Sequence, residues 1–193
     1  NGYIQGFGSS RMIRGHEIDA WQVPGNDPDP QWVRKIAEHG PLQRIRQYAA
    51  NVAGFNGEED YFPAKVFGAG QDWLNENAAK GPFFLQVENF DVHEPFDVPE
   101  PYASMYTDGS RDDFCLWPPY QVYDDLDAFM RQTSQQELDF VRAQYMGKVT
   151  KMDKWLGRFM DQMDATGLWD DTCVILTTDH GHDLGGRGCF GKQ

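Results

Sequence analysis

The chain has 193 residues, 40 % of them apolar and 14 % aromatic, with a formal net charge of −13. That length and apolar content suit one globular domain with a sizeable core and exclude a disordered chain. The acidic balance argues against nucleic acid as a partner, because a phosphate backbone needs a basic face, and no apolar run approaches the ~20 residues of a membrane span.

An anionic small substrate is still allowed, since a metal ion or a few local cations reverse the sign inside a pocket. Cys115, Cys173 and Cys189 are odd in number and widely spaced. They predict three unpaired thiols rather than a disulfide framework or a CxxC metal knuckle, and they assign no compartment. The chain begins at Asn1 with no Met and no leader-type segment, and it ends at Gln193 straight after a Gly-rich turn. We expect it to be a piece of a longer protein.

Residues 1–30, rich in Gly and Pro, read as irregular, with a possible short strand near Tyr3–Ile4. Residues 31–53 carry apolar side chains at helical spacing: Trp32, Val33 and Ile36, then Leu42, Ile45, Tyr48, Ala49 and Val52. Gly40-Pro41 splits them into two helices, with Pro41 suited to a first helical turn. Residues 63–79 predict a third helix with Val66, Phe67, Trp73 and Leu74 inward, stopped by Gly81-Pro82. "PFFLQVENF" (82–90) is short, apolar and β-prone, which predicts a buried strand.

"DVHEPFDVPEPYASMY" follows, with prolines at 95, 99 and 101, and reads as a loop; residues 107–133 read as a long surface connection. The clearest periodicity lies in 134–165, where Val141, Tyr145, Val149, Met152, Leu156, Phe159 and Met163 recur every three to four positions. Ser134 and Glu137 have capping-box spacing, and Gly167 suits the stop. "DTCVILTTD" then predicts a strand with the continuous apolar centre of a parallel sheet covered on both faces. The order helix, strand, connection, helix, strand predicts an α/β fold: a mixed, mainly parallel sheet with helices on both faces, here as a partial domain. In such folds ligands sit beyond the carboxyl ends of the strands, where the polar clusters around His93 and around Asp179 and His180 fall.

Asp179 and His180 offer a carboxylate and an imidazole to a divalent cation. Asp oxygen suits Ca²⁺, Mg²⁺ or Mn²⁺, and a His nitrogen leans towards Mn²⁺ or Zn²⁺ without deciding it. Adjacent side chains on a strand point to opposite faces, so joint ligation needs the bend that Gly181 permits. A plain polar turn is the competing reading. His180 and His182 form an HxH pair, but Leu184 and Gly185 stand where a binuclear HxHxDH site needs Asp and His. His182 is either a group orienting Asp179 or a solvated histidine. Lys192, across the Gly turn, can reach back to an anion or lie on the surface. His93 can contact an anion or protonate a leaving oxygen, and Asp91, Glu94 and Asp97 around it favour its charged form. Glu94 as a zinc-deaminase base fails for want of a following PCxxC. "RGHE" at 14–17 can form a structural Arg14–Glu17 pair, with His16 a minor ligand candidate.

"PFFLQVENFDVHEPFDVPEPY" followed by "DTCVILTTDHGHDLGGRGCFGK" resembles the type I, formylglycine-dependent sulfatases of the alkaline phosphatase superfamily. The first block is similar to the family's strand and "D-x-H-x-P-F" segment, the second to its "T-D-H-G-x-x-L-G-x-x-G-x-x-G-K" segment. The helix between them and "GFGSSRMIRGHEIDAW" also fit the family's order and spacing. The resemblance implies an alkaline phosphatase-like fold and a sulfuric ester hydrolase acting on a small-molecule or carbohydrate sulfate ester. It implies Asp179 and His180 as metal ligands, of Ca²⁺ first and Mg²⁺ or Mn²⁺ otherwise, Lys192 as a sulfate ligand and His93 as a sulfate contact aiding the leaving group. The family's formylglycine arises from Cys or Ser in C/S-x-P-x-R. Cys115, Cys173 and Cys189 do not match that pattern, so the nucleophile and the remaining ligands are expected upstream of Asn1 and the isolated fragment is expected to be inactive. The residues then form the central-to-late part of a catalytic domain without its N-terminal portion and C-terminal subdomain. Two alternatives stand beside this: a phosphonate monoester or phosphodiester hydrolase of the same superfamily, and a non-catalytic sulfatase-like binding domain.

Overall fold

Helices occupy the periodic stretches of the sequence, and local chemistry sets their ends. The computed structural model describes residues 4–120, 127, 131, 133–185 and 189–192. α1 (Gln31–Ala37) and α2 (Leu42–Val52) are separated at Gly40-Pro41, although Pro41 caps α2 rather than entering its first turn. They bury Trp32, Val33 and Ile36 against Ile45 and Tyr48. α3 (Phe62–Asn77) carries Pro63 in its first turn, where no intrahelical donor is lost. It buries Val66, Phe67 and Leu74, while Trp73 is only partly covered.

α4 (Gln135–Ala165) has the predicted capping box: the Glu137 amide donates to the Ser134 hydroxyl at 3.2 Å, and the Ser134 amide to the Glu137 carboxylate at 2.8 Å. Gly167, at φ +68°, ends it in the left-handed conformation that glycine adopts without strain. Thirty-one residues give a helix of about 46 Å, long enough to serve two cores. Its first half packs Leu138, Phe140 and Val141 with α1, α2, Phe96, Cys115, Leu116 and Phe190. Its second half packs Trp155, Met152, Leu156 and Phe159 with Ala64 and Phe67 of α3 and with Val87. Val149, expected inward, is 42 % exposed; Lys148 and Lys151 take the buried face beside it. The 107–133 segment is not purely superficial, since Cys115 and Leu116 are core residues.

The expected parallel sheet is not formed among the described residues. Their sheet is antiparallel and has two short strands, β1 (Asp183–Leu184) and β2 (Phe190–Gly191), with Asp183 facing Gly191 and Leu184 facing Phe190. Residues 82–90 and 172–178 take up no strand pairing. Side chains in 82–90 nonetheless alternate: Phe83, Leu85, Val87 and Asn89 are partly covered, and Phe84, Gln86, Glu88 and Phe90 are exposed. That is the period of a strand with one face on helices. A strand becomes part of a ladder only when a neighbour takes up its N–H and C=O groups. Ile175 and Leu176, expected to be buried on both faces, are likewise exposed. Of the early strand, Tyr3 lies outside the described residues and Ile4 sits in a turn.

Candidate active site

The loop after residue 90 is held from below by α4. Lys148 and Lys151, one helical turn apart and almost fully buried, approach Asp91 at 2.8 and 3.1 Å. Lys148 also donates to the carbonyl oxygens of His93 (2.6 Å) and Pro95 (2.9 Å). Burial disfavours the Asp91 carboxylate, but the two ammonium groups outweigh it and bring its pKa down to about 2. Asp97 is tied separately, accepting from Tyr48 at 3.0 Å and Arg111 at 2.7 Å, and Phe96 donates to Leu116 at 2.9 Å. Asp91 and Asp97 therefore do not crowd His93, contrary to the expectation from sequence. Its carboxylate neighbours are Glu94, 3.5 Å from Nδ1, and Glu17, at 3.7 Å. The ring lies against Phe90, with centroids 4.3 Å apart.

The antiparallel pairing of β1 with β2 brings Lys192 to this loop. Gly185 donates to Cys189 at 2.8 Å, Arg142 of α4 holds the Leu184 carbonyl at 2.8 Å, and Phe190 is buried in the first core. Gly191 has φ +110°, and a Cβ there would lie 2.8 Å from the Tyr120 ring. Only glycine permits that approach. The next residue, Lys192, places Nζ in contact with His93 Nε2 and 3.5 Å from Glu94 Oε1. Glu94 also accepts from the Tyr120 hydroxyl and stands 3.4 Å from His182 Nδ1. His182 is thus neither solvated nor directed at Asp179; it is buried on Glu94, and that burial lowers its pKa. Burial together with the Glu94 carboxylate raises the Tyr120 phenol above its ordinary range.

Asp179 and His180 sit nearby on the exposed side. The His180 amide donates to Asp179 Oδ1 at 2.9 Å, Asp179 Oδ2 lies 3.7 Å from His180 Nε2, and the His180 and His93 rings are 6.2 Å apart. Two donors this close on one bend fit part of the shell of a divalent ion, and a hard cation needs several more oxygens. Asp179 is largely exposed and His180 is 43 % exposed, so both are available to such an ion. Among the described residues, the side chains that converge in threes as potential ligands are Glu17, His93 and Glu94. The Lys192 ammonium already lies against two of them.

Arg14 does not pair with Glu17. It makes two 2.7 Å bonds to Asp19, which leaves Glu17, at φ +44°, turned to His93. His16 stacks on Phe62 at 3.8 Å between centroids, and burial pulls its pKa down to about 4, so it is a neutral packing residue. Cys115, Cys173 and Cys189 form no disulfide with one another, and burial pushes the Cys115 thiol up to about 12, far from a nucleophile's range. Sequence reasoning missed Tyr120, Glu17 and the lysine pair. The pair had a signal: two lysines three apart on the apolar stripe of α4. The other two had none.

The arrangement can grip an anionic oxygen group between an ammonium and an imidazole and can deliver a proton to it. The family model described as Sulfatase matches residues 4–192. The chain is 31 % identical over 131 residues to the multifunctional alkaline phosphatase superfamily protein PehA of Trinickia caryophylli, covering 58 % of this chain and 26 % of that protein. It is 26 % identical over 142 residues to an arylsulfatase of Clostridium perfringens, covering 70 % and 30 %. It is 28 % identical over 133 residues to human iduronate 2-sulfatase, covering 58 % and 24 %. The chain thus spans about a quarter to a third of the length of these relatives. With a match over almost its full extent, the chain belongs to the sulfatase family.

Proposed function

We propose that the whole protein hydrolyses a sulfate ester of a small molecule or carbohydrate, and that these 193 residues are the central-to-late part of its catalytic domain. The observation that carries the reading is the contact of Lys192 Nζ with His93 Nε2 across 99 positions of sequence in a sulfatase-family chain. The family's architecture is the alkaline phosphatase-like α/β fold, and the one-faced segment 82–90 suits a strand of its sheet.

In this reading Lys192 binds the sulfate oxygens and offsets the charge that grows on them in the transition state. His93, its ring fixed by Phe90 and its backbone by Lys148, contacts the same group and gives the leaving oxygen its proton. Asp179 and His180 are two ligands of a divalent ion, Ca²⁺ as first candidate and Mg²⁺ or Mn²⁺ otherwise, which when bound supplies Lewis-acid polarisation of a sulfate oxygen. The nucleophile is a formylglycine upstream of Asn1. The test is turnover of an aryl sulfate by the full-length protein and its Lys192→Ala and His93→Ala variants. Hydrolysis that both variants impair supports the reading; hydrolysis indifferent to both rejects it.

A second reading, hydrolysis of phosphonate monoesters or phosphodiesters, is favoured by the 31 % identity to a protein named as multifunctional within the alkaline phosphatase superfamily. Comparing aryl sulfate with aryl phosphodiester turnover separates the two.

A further inference from the structure

A buried carboxylate stands between the ammonium and the imidazoles of this site. The Glu94 side chain is 3 % exposed; its Oε1 accepts from Tyr120 and lies 3.5 Å from Lys192 Nζ. Its Oε2 lies 3.5 Å from His93 Nδ1 and 3.4 Å from His182 Nδ1. Burial alone would drive Glu94 towards its neutral form. The Tyr120 hydroxyl, its own backbone amide, His93 and Lys192 outweigh that and keep its pKa below the ordinary value, so the site carries a fixed negative charge. Glu17 adds a second carboxylate, 3.7 Å from His93 Nδ1.

An anion held by Lys192 through a hydrogen bond therefore sits within roughly 6–7 Å of the Glu94 carboxylate. Repulsion between them grows in proportion to the anion's charge. A sulfate ester brings one negative charge, whereas a phosphate monoester brings two above its second pKa of about 6. We propose that Glu94 is a specificity-determining residue, whose buried carboxylate lowers the net positive charge of the anion subsite so that it takes singly charged esters and rejects dianionic phosphate monoesters. This rests on the ester-hydrolase reading above and adds to it the charge of the substrate. A metal ion on Asp179 and His180 contributes the same charge with and without Glu94, so it leaves the direction of the effect unchanged.

The experiment compares nitrophenyl sulfate with nitrophenyl phosphate in the full-length, metal-loaded protein at about pH 8, where the phosphate is dianionic. Glu94→Gln keeps the shape and the acceptor for Tyr120 and removes the charge. The ratio of kcat/KM for phosphate over sulfate should rise by at least about ten-fold. A fall of both activities by the same factor, with the ratio unmoved, overturns the proposal and leaves Glu94 as a positioning residue. If Glu94→Gln does not fold, Glu17→Gln, at a partly exposed side chain, should move the ratio the same way by a smaller factor, and an unmoved ratio there overturns the proposal equally. Wild-type protein without sulfate ester turnover sinks the sulfatase reading and this inference together; turnover with an unmoved ratio sinks the inference alone.

Discussion

Lys148 lies 2.6 Å from the carbonyl oxygen of His93 and 2.8 Å from the carboxylate of Asp91, so one buried ammonium joins the loop's histidine to the acid two residues before it. Removing the acid leaves Lys148 and Lys151 buried with uncompensated charge. Asp91→Ala should cost about 3–5 kcal/mol of unfolding free energy in urea. That is a large share of the roughly 5–15 kcal/mol that holds a domain together. A loss under about 1 kcal/mol would show that the pair is not the keystone of the loop.

The same cluster has a pH signature. Asp91 titrates at about 2 when folded and near its ordinary 3.8 when unfolded. Its contribution is therefore complete above about pH 4 and is lost as the pH falls towards 2, amounting to about 2 kcal/mol. The stability gap between wild type and Asp91→Asn should close across that interval in acid titrations followed by circular dichroism. A gap that stays constant down to pH ~2 would remove the linkage.

Lys192→Ala in the full-length protein should lower kcat/KM for an aryl sulfate by roughly a hundred- to a thousand-fold, as for the loss of one oxyanion donor. Its melting temperature should fall only modestly, because the buried Glu94 carboxylate loses one cation but keeps the Tyr120 hydroxyl and the His93 ring beside it. Unchanged kcat/KM ends the role given to this residue.

The helices were legible because their evidence is local. The capping box at Ser134, the break at Gly40-Pro41 and the stop at Gly167 each act within a few residues, and all three stand where the sequence put them. His93 and Lys192 were legible one at a time from motif context, but their contact depends on Phe190 packing into a core whose other members lie 49 or more positions away. Lys148 and Lys151 were passed over for a related reason. A helix stripe treats lysine as solvent-seeking, and only the tertiary placement of Asp91 makes its burial tolerable. The sheet was legible only in part, because apolar runs at 82–90 and 174–176 advertise strands without saying where their neighbours are.

Two glycines of α4 separate helix propensity from packing. A Cβ on Gly147 would stand 2.6 Å from the carbonyl oxygen of Tyr102, whereas one on Gly157 meets nothing within 4 Å. Intrinsic propensity favours alanine at both by up to ~1 kcal/mol. At Gly147 the clash with rigid backbone dominates, so Gly147→Ala should destabilise by about 1–3 kcal/mol. Gly157→Ala should stabilise by a few tenths to ~1 kcal/mol. Chemical denaturation of the two variants side by side reads both signs, and a stabilised Gly147→Ala would mean that the Tyr102 loop yields freely.

The metal assignment can be tested without catalysis. Asp179 is largely exposed and, among the described residues, bonds to its neighbour His180, so Asp179→Ala should leave the metal-free protein as stable as wild type. A ligand that binds only the folded state stabilises it by mass action, by about 2.7 kcal/mol at a hundred-fold excess over Kd, and so raises its melting temperature. Calcium should therefore raise the melting temperature of the full-length wild type, and Asp179→Ala and His180→Ala should each lose most of that gain. Magnesium and manganese titrations rank the three ions on the same scale. Equal stabilisation of wild type and both variants would take Asp179 and His180 out of the coordination shell. It would leave the Lys192–His93 contact as the anion grip with no ion attached to this bend.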